Sequence, residues 1–228
     1  MNEKNHELKK IVIIGAGGQG KDVLWTIMDI NKISSRFDII GFLDDDKKLH
    51  GKTINRVPVL GGMNWLSNKN KMGCIIAVGD GKIREKIVKK LKNVNVYFPS
   101  IIHPSVIMSD FVTIGKGTII QAGVMIPPDS EIGNFVFINL RSQIGHDCKI
   151  KDFVSIMAGV NVTGETIIEN GAYLGSGVTV ADKIKIGEWS IIGIGSAIGK
   201  DVKPYSLYLG NPGIFIRKIK DEKSRPRL

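Results

Sequence analysis

Residues 131–150 read EIGNFVFINLRSQIGHDCKI, and isoleucine falls at 132, 138, 144 and 150, once in every six residues. The step of six continues in both directions. From Ile102 to Ile198 it meets seventeen positions, and each carries Ile, Leu, Val or Met. Four residues after each stands a small or β-branched residue, Cys148 among them, and one residue after seven of them stands glycine, Gly145 included. Neither a helix period of 3.6 nor a strand period of 2 produces this pattern. A hexad supplies one short flat strand and one corner, and three hexads close a triangular coil. The large and small side chains stack inside, and glycine eases the corners. Residues 102–203 are therefore expected to form about five and a half coils of a parallel β-helix.

The chain of 228 residues has room for one large domain or two small ones. Two cysteines, Cys74 and Cys148, give neither a disulfide framework nor a cysteine metal site, which fits a reducing, cytoplasmic setting. The leader MNEKNHELKK is too polar for a signal peptide, and no apolar run is long enough for membrane insertion. The net charge of +10 is uneven: +8 over residues 1–101, −2 over 102–203 and +4 over 204–228. A basic first half suits a phosphate-bearing ligand. No aromatic-interleaved basic stripe accompanies it, so nucleic acid is not an expected partner.

The segment KKIVIIGAGGQGKDVLWTIMDI sets an apolar strand, Ile11–Ile14, before Gly15-Ala16-Gly17-Gly18-Gln19-Gly20 and a helical run. Backbone amides at such a helix start favour a phosphate. The next strand, 38–43, ends at Asp44 and Asp45, where a carboxylate can accept from a ribose or base edge. Gly61 and Gly62 follow a further short strand and offer a second close backbone approach. Strands are expected near 11–14, 38–43, 57–60, 74–78 and 94–98, with helices near 19–32, 63–68 and 81–92. About one hundred residues hold only one mononucleotide half, so a nucleotide diphosphate is a better expectation than NAD, and a dehydrogenase is not favoured. Three segments result: a small Rossmann-like α/β domain over 1–101, the solenoid over 102–203, and a basic C-terminal tail over 204–228.

The hexads resemble the hexapeptide-repeat family, whose solenoid is a left-handed parallel β-helix. The whole order, GAGGQG, then GFLDDD, then VPVLGG, then a solenoid closing on GNP, is similar to the sugar acetyltransferases of bacterial surface-glycan synthesis. That group includes N-acetyltransferases of UDP- or dTDP-linked 4-amino-sugars and related sialic acid O-acetyltransferases. The resemblance covers roughly residues 9–218. It implies a homotrimer, a nucleotide-linked amino-sugar held by the small domain, and acetyl-CoA as co-substrate held by the solenoid. The same solenoid also serves non-catalytic subunits, so a sugar-nucleotide-binding scaffold stands as the alternative of another class.

His146 sits directly after the corner glycine Gly145, and the resemblance makes it the general base of acetyl transfer. Imidazole suits that task, since histidine ordinarily titrates near ~6.5. Asp147 stands where the family carries Glu and would orient the ring. Gly164, one coil on, is implied as the backbone donor to the oxyanion. For acetyl-CoA the resemblance implies Ser155, in place of a usual histidine, with Ser176, Ile194 and Gly210-Asn211-Pro212. The basic run from Arg217 to Arg227 could meet the CoA phosphates. The chain has four histidines, and only His103 and His146 lie in or beside the solenoid, too few for a three-histidine zinc site.

Overall fold

The computed structural model describes residues 8–67 and 69–219. His6, Asn68 and the tail from Lys220, with Arg225 and Arg227 of the run expected to face CoA, lie outside the described residues, while Arg217 lies on the last strand.

The N-terminal part is an α/β layer. Strand β1 (Lys9–Ile14) buries its last four side chains and lies parallel to β2 (Phe37–Leu43) and β5 (Met72–Ile76). A strand buried on both faces reads as a continuous apolar run, as IVII does. Helix α1 (Gly18–Ile33) crosses over between β1 and β2 and turns Val23, Leu24, Ile27 and Ile30 inward. Strands β3 (Thr53–Ile54) and β4 (Val57–Gly61) form a hairpin turning at Asn55 and Arg56, both at positive φ. Helix α2 (Gly81–Lys90) leads to β6 (Val96–Tyr97), and the sheet order is β3-β4-β2-β1-β5-β6. The helix expected over 63–68 is a single 3₁₀ turn, Met63–Leu66. After Leu66 the polar run SNKN offers no apolar residue to extend a buried face. A second 3₁₀ turn, Lys47–Leu49, was not anticipated; the Asp46 carboxylate caps it by accepting from the Lys48 amide at 2.9 Å.

From Ile101 the chain becomes a left-handed parallel β-helix of two-residue strands. Each strand pairs with the strands eighteen residues away, as Ile119 does with Ile101 and Phe137. Three flat faces result, with eight, six and five strands. Isoleucines 120, 126, 132, 138, 144, 150 and 156 are all buried in one continuous core. The small positions do polar work there. Thr118, Ser130 and Ser142 each donate to the carbonyl fifteen residues on, at 2.8 Å in every case. Each also accepts the amide eighteen residues on, at 3.1–3.3 Å, so corner peptides stay satisfied inside the prism. Cys148 takes the same position and is fully buried.

The first face continues beyond residue 203. Ser206–Leu209 runs parallel to Ile191–Ile192, and Ile214–Lys218 folds back antiparallel beside it. Residues expected to begin a tail therefore extend the sheet. The α/β layer covers the upper part of this first face. Ile101, Ile119 and Phe137 point outward from the solenoid yet are at most 1% exposed, because they share a core with Ile27, Ile30 and Phe37.

Candidate active site

His146 occupies the corner between Gln143–Ile144 on the second face and Lys149–Ile150 on the third. Its position is fixed from two sides. The His146 carbonyl accepts the Glu165 amide at 2.9 Å, anchoring the corner to the next coil. Asp147 adopts a left-handed backbone with φ of 57°, which turns its side chain back onto the ring. The Nδ1–Oδ2 distance is 2.8 Å. A carboxylate only accepts, so this contact places the hydrogen on Nδ1 and leaves Nε2 as the basic atom. The shorter Asp side chain thus reaches the ring. Both side chains are more than half exposed, at 61% and 56%.

Gly164 lies under the ring. A Cβ there would stand 2.6 Å from His146 Nε2, so no larger residue leaves the ring in place. The Gly164 N–H has no acceptor among the described residues, while its carbonyl accepts the Lys183 amide at 3.0 Å. The Gly164 nitrogen itself packs against Gly145, where a Cβ would lie 2.4 Å from it.

The glycine-rich turn divides its glycines by task. Gly15 has a φ of +101°, and a Cβ would lie 2.8 Å from the Ala77 carbonyl; at Gly20 it would lie 2.1 Å from the Gly15 carbonyl. Those two are required by packing. A Cβ at Gly17 or Gly18 would meet nothing within 4 Å. These two bare peptides open α1, whose first turn has no acidic residue and no side-chain cap. Asp44 closes the turn, accepting the Ala16 amide at 2.8 Å and the Asp46 amide at 2.9 Å. Gln19 Oε1 is buried without a partner. Beyond Asp44 opens a cleft of about 870 Å³ lined by Asp45, His50, Gly61, Gly62, Asn64 and Trp65, among others. The structure thus gathers the expected nucleotide residues, with Asp44 shaping the turn and Asp45 facing the cleft.

The expected acetyl-CoA residues divide. Ser176 and the 82% exposed Ile194 stack one coil apart on the corner between the first and second faces. Gly210, Asn211 and Pro212 form the exposed turn between the last two strands. Ser155 belongs elsewhere. It is fully buried beneath the α/β layer, its hydroxyl donates to the Gly79 carbonyl at 2.7 Å, and it accepts from Arg84 at 3.1 Å. Both capacities are spent inside the protein, so Ser155 does not take the acetyl-CoA contact expected of it. His103 is a tie as well, meeting Asp29 at 3.1 Å and the Ser105 hydroxyl at 2.8 Å. Among the described residues no three His, Cys, Asp or Glu side chains group as a metal would need. No helix among them is long and apolar enough to cross a membrane.

Residues 10–91 match the family model described as the PglD N-terminal domain. The chain is also similar to UDP-N-acetylbacillosamine N-acetyltransferase of Bacillus subtilis (strain 168). The two are 30% identical over 126 residues, covering 50% of this chain and 52% of that relative. The chain therefore spans about half the length of that curated relative. Among solved structures, the acetyltransferase domain of PglB from Neisseria gonorrhoeae FA1090 superposes with a TM-score of 0.83 at 26% identity. That match covers 91% of this chain and 100% of that one. PerB from Caulobacter crescentus, solved in complex with CoA and GDP-perosamine, gives 0.81 at 26% identity, covering 92% and 99%. The likeness to both extends from the α/β layer through the solenoid.

Proposed function

We propose that this chain transfers an acetyl group from acetyl-CoA to the amine of a nucleotide-linked amino-sugar, with UDP- or dTDP-linked 4-amino-sugars as its substrates. The observation that carries this reading is the His146–Asp147 pair with its ring resting on Gly164. The sugar amine attacks the thioester carbonyl, and His146 Nε2 takes its proton as the C–N bond forms. The oxygen of the tetrahedral intermediate takes the Gly164 N–H. Collapse breaks the C–S bond, and the imidazolium returns the proton to the departing thiolate, leaving the amide and free CoA. The open start of α1 suits the diphosphate. The cleft beside Asp45 has room for a base.

Geometry also favours a homotrimer. The α/β layer covers the first face, and His146 lies on the corner opposite that face, away from its own nucleotide turn. The outward residues of the second face, Ile107, Met125, Gln143, Asn161, Thr179 and Ala197, carry no charge, whereas those of the third include Glu131, Lys149 and Lys185. Packing second faces together would bring one subunit's sugar to another's His146. Free, buried thiols suit a reducing compartment.

The test is a free-thiol assay with acetyl-CoA against UDP-, dTDP- and GDP-linked 4-amino-sugars, with sialic acid as competing acceptor. Turnover on a nucleotide-linked amine supports the reading. Turnover on sialic acid alone replaces it with O-acetylation, and silence from a folded trimer replaces it with the scaffold.

A further inference from the structure

Among the described residues, Arg84 is the largest side chain to be almost wholly buried, at 1% exposure. It lies on the apolar stripe of α2 with Ile87 and Leu91, where a basic residue has no solvent to meet. Its donors reach in two directions. Toward the α/β layer, Nη1 donates to the carbonyls of Val78 and Gly79 at 2.8 and 2.9 Å. Toward the solenoid, Nε donates to the Phe135 carbonyl at 2.9 Å. Nη2 meets the carbonyls of Phe153 and Val154 at 2.9 and 2.8 Å and the Ser155 hydroxyl at 3.1 Å. All five N–H groups of the guanidinium are used. Burial pushes its pKa down to about 9, which still leaves it charged at neutral pH.

The neighbourhood is built for close approach. A Cβ on Gly81 would lie 2.1 Å from the Phe153 carbonyl, so α2 starts in direct contact with the solenoid corner. The rings of Phe135 and Phe153 stack at 5.3 Å beside it, and Phe98 meets Phe135 edge-on at 5.1 Å. On the other side, residues 77–79 are the floor of the glycine-rich turn. The Ala77 carbonyl confines Gly15, and Gly79 faces the Gln19 side chain.

We propose that Arg84 is a positioning residue that fixes the nucleotide-binding turn to the solenoid, and so sets where the acceptor amine falls relative to the catalytic corner. This rests on the acetyl-transfer reading above. A planar fork with five donors can hold carbonyls of both parts at once, whereas a lysine with three donors on one atom cannot.

The test uses Arg84→Lys and, as an independent break of the same joint, Gly81→Ala, both in the full-length chain. Each is expected to lower kcat on the nucleotide-linked sugar by about tenfold or more, the scale of a misplaced reactant. The KM for acetyl-CoA and the affinity for the parent nucleoside diphosphate should stay within about threefold. A merely structural role would instead remove active protein, lowering active-site concentration and leaving kcat per folded site unchanged. That result, or kcat within twofold of wild type in folded Arg84→Lys, overturns the proposal. Hydrogen exchange separates this failure from failure of the acetyl-transfer reading. In Arg84→Lys, residues 77–81 should exchange at least about tenfold faster while the solenoid core is unchanged, whatever the substrate. Unaltered exchange there also overturns the proposal.

Discussion

Gly164 and His146 sit one coil apart with the imidazole resting on the glycine, where a methyl group would stand 2.6 Å from Nε2. The ring cannot yield toward the core, so Gly164→Ala must tilt it outward. A displacement of that order costs about 10–100-fold in kcat, because the base leaves its attack geometry. Circular dichroism and melting temperature should change little, since the corner is at the surface. Full activity in a folded Gly164→Ala variant would contradict the placement of the base.

Asp147→Asn keeps a residue that tolerates the left-handed backbone but removes the charge facing Nδ1. The amide can still accept from the ring, so the fold of the corner survives. Turnover is expected to fall by about tenfold or more, as the developing imidazolium loses its counter-charge. Steady-state kinetics with both substrates varied checks this, and the KM for acetyl-CoA should stay within about twofold.

In the proposed trimer, His146 of one chain works with the nucleotide turn of another. A His146→Ala subunit and a Gly18→Asp subunit, the latter with a carboxylate where the diphosphate docks, should each be inactive alone. Mixed trimers made by refolding them together should recover activity. Ile107→Lys with Met125→Lys should split the proposed trimer, visible by light scattering, and abolish turnover.

Both cysteines are fully buried, and burial pushes the Cys74 thiol up to about 12. The native protein should leave Ellman's reagent unreacted, and two thiols should appear on denaturation, in line with the two cysteines of the sequence. The folded state keeps the Cys74 proton where the unfolded chain releases it. Stability is therefore lost as pH rises from the ordinary thiol value of 9.0 toward 12. Melting temperature should fall more between pH 8.5 and 10.5 for wild type than for Cys74→Ala, values chosen to bracket roughly the unfolded thiol's titration.

The solenoid was legible because its core repeats every six residues and nothing else in protein structure does. The glycine turn was legible because packing and phosphate approach both demand glycine. The covered first face was not read, although its outward positions Ile101, Ile119 and Phe137 stay apolar at an eighteen-residue step. That longer period was the available signal. Ser155 was misplaced for the same reason: alignment by motif gives a position in the coil but not what packs upon it. Arg84 was missed because five of the nine residues of the helix around it, KIREKIVKK, are basic. Only its place on the stripe of Ile87 and Leu91 sets it apart.

The most direct test of the account is a single-turnover comparison of wild type and His146→Ala with a saturating nucleotide-linked 4-amino-sugar. Acetyl-CoA affinity is measured on the same samples by calorimetry. The account predicts a rate lower by about 10²–10⁴-fold in the variant with acetyl-CoA affinity essentially unchanged. A rate within about threefold of wild type, well short of what loss of a general base costs, would remove His146 from the mechanism.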